Sequence, residues 1–125
     1  MIGLPHAVRV WVHRNPADMR KSFDTLAAVV REGMGTDVLE GGLFVFVGRR
    51  RCTAKVLYRD GTGHVVLAKR LSQGRFVAPW QRAGAGSLQW TMSELALFLE
   101  GSEIVGRVPL SPPPWRAEDR RIVFR

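Results

Sequence analysis

Cysteine is nearly absent from this chain of 125 residues; Cys52 is the only one. A lone thiol excludes an internal disulfide framework and suits a reducing compartment. Long apolar runs are missing as well, and no window approaches the ~20 apolar residues a membrane span needs. The N-terminal stretch MIGLPHAVRVWVHRNP has no apolar run between basic flanks and a small-residue cleavage site, so no secretory signal is expected. Histidine is sparse: His6, His13 and His64 are scattered and, with one cysteine, match no zinc spacing. The glycine-rich Ala83-Gly84-Ala85-Gly86-Ser87 lacks the Gly-Lys-Ser/Thr of a phosphate-binding loop and reads as a connection. No Ser–His–Asp arrangement and no set of carboxylates for a two-metal site can be argued. The expectation is a cytoplasmic protein with no membrane anchor, no cofactor, no metal and no enzymatic activity.

Acid is scarce in one place only. Between Gly41 and Arg82 stand nine cations, Arg49, Arg50, Arg51, Lys55, Arg59, Lys69, Arg70, Arg75 and Arg82, against one acid, Asp60. That difference of +8 equals the net charge of the whole chain, because residues 1–40 and 83–125 each balance at five against five. A cationic excess confined to one segment points to an anionic partner more strongly than the same charge spread evenly. The remaining composition, 46% hydrophobic, is that of a folded protein, and the length suits one core.

Val8 to His13 alternates apolar and polar residues and reads as a half-buried strand. Asn15-Pro16 then resembles a helix start, with Asn15 as cap, Pro16 at the first position and Asp18 near the positive dipole end. Met19, Phe23, Leu26, Ala27 and Val30 form one apolar stripe, so the main helix is placed at about 16–32, ended by Gly33 and Gly35. Leu43 to Val47 is a continuous apolar run, expected to be a strand covered on both faces. After the arginine corner, Ala54 to Asp60 and His64 to Arg70 read as two strands joined by the hairpin signal Asp60-Gly61-Thr62-Gly63. Arg75 to Val77 suggests a short edge strand stopped by Pro79. Thr91 or Ser93 caps a second short helix at about 92–100. The expected fold is α+β: a single domain over residues 1–101, a mostly antiparallel sheet of about five strands arranged as a meander, and the main helix on one face. Residues 102–125, with Pro109 and Pro112-Pro113-Pro114, are expected to form a mobile tail.

These pieces in order include Leu4-Pro5 before a Val-rich strand, Asp18-Met19-Arg20-Lys21 with Phe23, Asp24, Leu26 and Ala27, and Gly42 to Phe46. They continue with Arg49-Arg50-Arg51, Lys55-x-Leu57-Tyr58, Asp60-Gly61-x-Gly63 and Lys69-Arg70-Leu71-x-x-Gly74-Arg75-Phe76. The set resembles the small accessory protein of bacterial insertion sequences of family sixty-six, its second open reading frame, often labelled TnpB. It is unrelated to the RNA-guided nuclease of the same label. This chain departs from the family in having Arg59 before Asp60-Gly61, where a tryptophan is usual, and Ala78 before Pro79. The resemblance implies an accessory role in transposition beside a separate transposase.

Candidate nucleic-acid contacts are Arg49, Arg50, Arg51, Lys55, Arg59, Lys69, Arg70 and Arg75, since Lys and Arg neutralise phosphates and release counterions. A two-stranded ribbon carrying arginines also fits the major groove. Arg20 and Lys21 are candidates for contacting nucleic acid or a protein partner, because two cations near a positive helix end are slightly unfavourable electrostatically. The expected partners are DNA, at the element's ends, and/or the transposase catalytic subunit; the rival is an adaptor that docks on the transposase without touching DNA. Asp60, before glycine in a hairpin, is expected to bond its own backbone. Trp11, Trp80 and Trp90 read as core, while Trp115 lies in the tail.

Overall fold

A computed structural model of the protein describes residues 8–81 and 88–101. Expectations for Leu4-Pro5, His6, Arg82, the glycine loop, Trp115 and the stretch 102–125 lie outside these residues. Among those described, five strands form one sheet: β1 (Val10–Val12), β2 (Leu43–Val47), β3 (Thr53–Arg59), β4 (His64–Arg70) and β5 (Leu88–Trp90). Two α-helices accompany it, α1 (Phe23–Gly33) between β1 and β2, and α2 (Met92–Leu99) after β5.

The strand order is β4-β3-β2-β1-β5. Only β2, β3 and β4 form the expected meander. β1 runs parallel to β2, with Val10 opposite Leu43, and antiparallel to β5, with Val10 opposite Trp90. Parallel neighbours need a crossover rather than a tight turn, and the stretch containing α1 supplies it. The last strand is β5. Arg75 to Val77 is not a strand, because Phe76 is needed elsewhere: its ring is fully buried and stacks on Phe98 at 4.8 Å between centroids.

The five apolar residues of β2 are explained by two layers of cover. Phe44 and Phe46 pack with Leu57 of β3 against Leu26, Ala27 and Val30 of α1. Val45 and Val47 face the other way, with Val10, Val12, Ala54 and Val56, against Phe76, Trp90, Leu95 and Phe98. A strand buried on both faces has no reason to alternate, whereas one half-exposed does.

The main helix begins at Phe23, not at Pro16. Ser22 caps it: its amide donates to Thr25 Oγ1 at 2.9 Å, and its carbonyl accepts from Leu26. The Asn15-Pro16 signal instead starts a bridging segment, in which the Ala17 amide donates to the Val47 carbonyl at 2.9 Å and Ala17 pairs in parallel with Gly48. Extended pairing with β2 and a helical first turn cannot coexist at Ala17, and the sheet takes precedence. Two members of the expected stripe leave the helix core as a result. Phe23 is 47% exposed, and Met19 packs from outside the helix. The second helix is as expected: Thr91 Oγ1 accepts from the Glu94 amide at 3.1 Å and Glu94 Oε1 from the Thr91 amide at 2.9 Å.

Candidate nucleic-acid interface

The corner between β2 and β3 is pinned from several sides. The Gly48 amide donates to the Thr53 carbonyl at 3.0 Å, and the Arg51 amide to the Gly48 carbonyl at 2.9 Å. Past β4, the Leu71 amide donates to the Cys52 carbonyl at 2.9 Å, and the Phe76 amide to the Arg51 carbonyl at 2.7 Å. Because Phe76 is itself locked in the core, it anchors the turn. Arg51 sits at φ 63, the left-handed region that L-residues other than glycine rarely occupy. That conformation costs about 1–2 kcal/mol, so the surrounding bonds must hold it.

Facing this corner is the bridging segment, brought there by the Ala17–Gly48 pairing. Gly48 makes the close approach possible, since a Cβ at this position would lie 2.7 Å from Met19 Cγ. Between the two segments lies an open cleft of about 1050 Å³, lined by Pro16 to Arg20, Gly48 to Thr53, and Arg70 from the end of β4. Arg70 reaches it because it pairs directly with Thr53 across the β3–β4 ladder.

Five of the ten candidate residues therefore converge: Arg20, Arg49, Arg50, Arg51 and Arg70 line one concavity. The single acid there among the described residues, Asp18, is already engaged. Arg20 grips it with a fork, Nε to Oδ1 at 3.0 Å and Nη2 to Oδ2 at 2.9 Å, while the Arg20 amide also donates to Oδ1 at 2.9 Å. These bonds hold the Asp18 carboxyl down at about 2, the Arg20 guanidinium contributing most. Arg49, Arg50, Arg51 and Arg70 make no ion pair with any described residue, and Arg51 Nε is buried without a hydrogen-bond partner.

The other five candidates do not line the cleft. Lys55 faces α1 rather than solvent; its Nζ donates to the Lys21 carbonyl at 2.7 Å, tying β3 to the residue before the helix cap. Lys21 thus contributes a backbone acceptor to that tie. Arg59 stands at the far end of β3, beside the hairpin turn and opposite His64. Lys69 is exposed on the opposite sheet face from Arg70, paired with Ala54. Arg75 is exposed next to Phe76. In the hairpin turn, Asp60 Oδ1 accepts from the Thr62 amide at 3.0 Å, the Thr62 hydroxyl at 3.1 Å and the Gly63 amide at 3.0 Å. Those bonds lower its pKa, and they are the local role expected of it.

Sequence reasoning overlooked Pro16, Ala17, Met19, Gly48 and Thr53 as parts of the site. A glycine directly between an apolar strand and three arginines was the available signal for Gly48. Among the described residues, no three His, Cys, Asp or Glu side chains are grouped to hold a metal ion, and no helix is long and apolar enough to cross a membrane.

Fold and cleft together define a small α+β protein with an arginine-lined concavity. The description "IS66 Orf2-like protein" matches residues 8–107, and the chain belongs to that family, the accessory proteins of insertion-sequence transposition resembled by its motifs. Two curated relatives from Sinorhizobium fredii are similar to it, both described as uncharacterized. One, y4hO, is 40% identical over 94 residues, covering 75% of this chain and 80% of the relative. The other, y4jC, is 31% identical over 115 residues, covering 90% and 97%. No solved structure matches.

Proposed function

We propose that this protein is a non-catalytic accessory factor of transposition that binds DNA at the element's ends, alone or with the transposase, through its arginine-lined cleft. The observation carrying this reading is the convergence of arginines from three separate stretches of chain on one concavity whose only acid, among the described residues, is already paired. Like charges gathered by folding repel one another, and a polyanion relieves that repulsion while releasing counterions. Arg49, Arg50, Arg51 and Arg70 are the contact residues, with Arg20 at the rim and Lys69 and Arg75 at the periphery. Lys55 is left out because its ammonium holds the fold together. In this role the protein works in the cytoplasm, on the nucleoid when bound.

Fluorescence anisotropy against the element's terminal inverted repeat and a scrambled duplex, at two salt concentrations, tests the proposal. Binding should weaken steeply with salt, and preference for the repeat marks recognition of the ends. Combining Arg49→Ala, Arg50→Ala and Arg51→Gly should reduce the salt slope by roughly 3, at ~0.9 per lost phosphate contact. Glycine is chosen at Arg51 because its φ of 63 would strain alanine. An unchanged slope would show that the corner is not the contact. Absence of binding at low salt would move the assignment to an adaptor docking on an acidic transposase surface.

A further inference from the structure

The shape of the arginine site restricts which nucleic acid enters it. A protein that reads duplex DNA in the major groove pushes a helix or ribbon outward into a groove ~12 Å wide. Here the exposed turn of the β3–β4 hairpin brings no net charge, since Arg59 is followed by Asp60. The arginines sit instead at the base of the ribbon, around a hollow. A duplex is convex and presents its phosphates on the outside, so its bulk stays at the rim. A strand that has left the duplex can go in.

The lining suits such a strand. Pro16, Ala17 and Met19 offer apolar surface on one side, and Arg49, Arg50 and Arg70 offer unpaired cations on the other. A bare phosphate has no use for the apolar side. Small-molecule pockets run from about 300 to 1,000 Å³, and the cleft, at about 1050 Å³, is of the size that holds a nucleotide with its neighbouring phosphates. Resting on the function proposed above, we infer that the cleft receives unpaired nucleotides at the end of a DNA strand. The base lies against Met19 and its neighbours, and the flanking phosphates lie on Arg49, Arg50 and Arg70.

Cys52 lines the cleft and is the only cysteine, so its alkylation rate reports occupancy without any engineered label. The full-length protein is mixed with a blunt duplex, with the same duplex carrying a six-nucleotide single-stranded overhang, or with an acidic peptide. Affinity is read by anisotropy and Cys52 reactivity by mass spectrometry. The overhang should bind about tenfold tighter than the blunt end, as one or two unstacked bases bury apolar surface against the Pro16–Met19 wall, and it alone should slow alkylation several-fold. Arg70→Gln should remove most of the preference for the overhang, and Met19→Ser, which trims the apolar wall without adding charge, should reduce that preference several-fold. Equal affinity and equal alkylation rates with both duplexes would overturn the inference and leave general DNA binding standing. Protection by the acidic peptide, with neither duplex bound, would overturn both readings and make the cleft a protein dock.

Discussion

Replacing Gly48 by alanine tests whether the bridging segment and the arginine corner are held together as described. Gly48 is not among the positive-φ glycines, so alanine fits its backbone, and the issue is space alone. The new Cβ would lie 2.7 Å from Met19 Cγ and 3.5 Å from its Sδ. Carbon atoms prefer ~3.5–4.0 Å, so the middle of the Met19 side chain must retreat by about 1 Å. Cγ sits close to the backbone, and that backbone is tied to β2 by the Ala17–Val47 bond. Overpacking of this kind costs about 1–3 kcal/mol. Reduced freedom of the unfolded chain returns about 0.4–1 kcal/mol, leaving a net loss of ~1–2 kcal/mol, or roughly 4–8 °C in Tm for a chain of this size. Calorimetry on Gly48→Ala, Met19→Ala and the double variant measures it. Since Met19→Ala removes Cγ, the double variant should lose at least ~1 kcal/mol less than the sum of the singles. Additive losses, or an unchanged Tm in Gly48→Ala, would refute the contact.

Lys55→Met should lower stability by about 1.5 kcal/mol, the low end for a charge-assisted bond because the site is only half-buried; chemical denaturation reads this, and DNA affinity should stay near that of the unaltered protein. The Asp18 carboxyl should titrate near 2 in the folded protein against an ordinary 3.8, as followed by carboxyl NMR. Its folded-state value is depressed, so its stabilising contribution is complete above about 3.8 and is lost as pH falls through about 2. Arg20→Gln should raise the midpoint only part of the way to 3.8, since the amide bond from residue 20 to Asp18 remains.

Much of this protein was determined by short-range patterns. Leu43–Val47 reads as a strand covered on both faces, Asp60-Gly61-Thr62-Gly63 as a hairpin turn, and Thr91 or Ser93 as the cap of α2, Thr91 taking that place, because each depends on residues within a few positions of one another. The confinement of the charge excess was equally plain from composition. Tertiary structure decided the rest. Asn15-Pro16-Ala17-Asp18 satisfies a helix start locally, yet the unpaired stretch beside β2 competes for Ala17 and wins through a sheet bond to Val47. The same pairing sets Arg20 beside Arg49, Arg50, Arg51 and Arg70, while strand register sends Lys69 to the other face and Lys55 into the fold. A run of basic residues announces an anionic partner, but its shape comes only from contacts between residues far apart in the chain, and those contacts made a cleft.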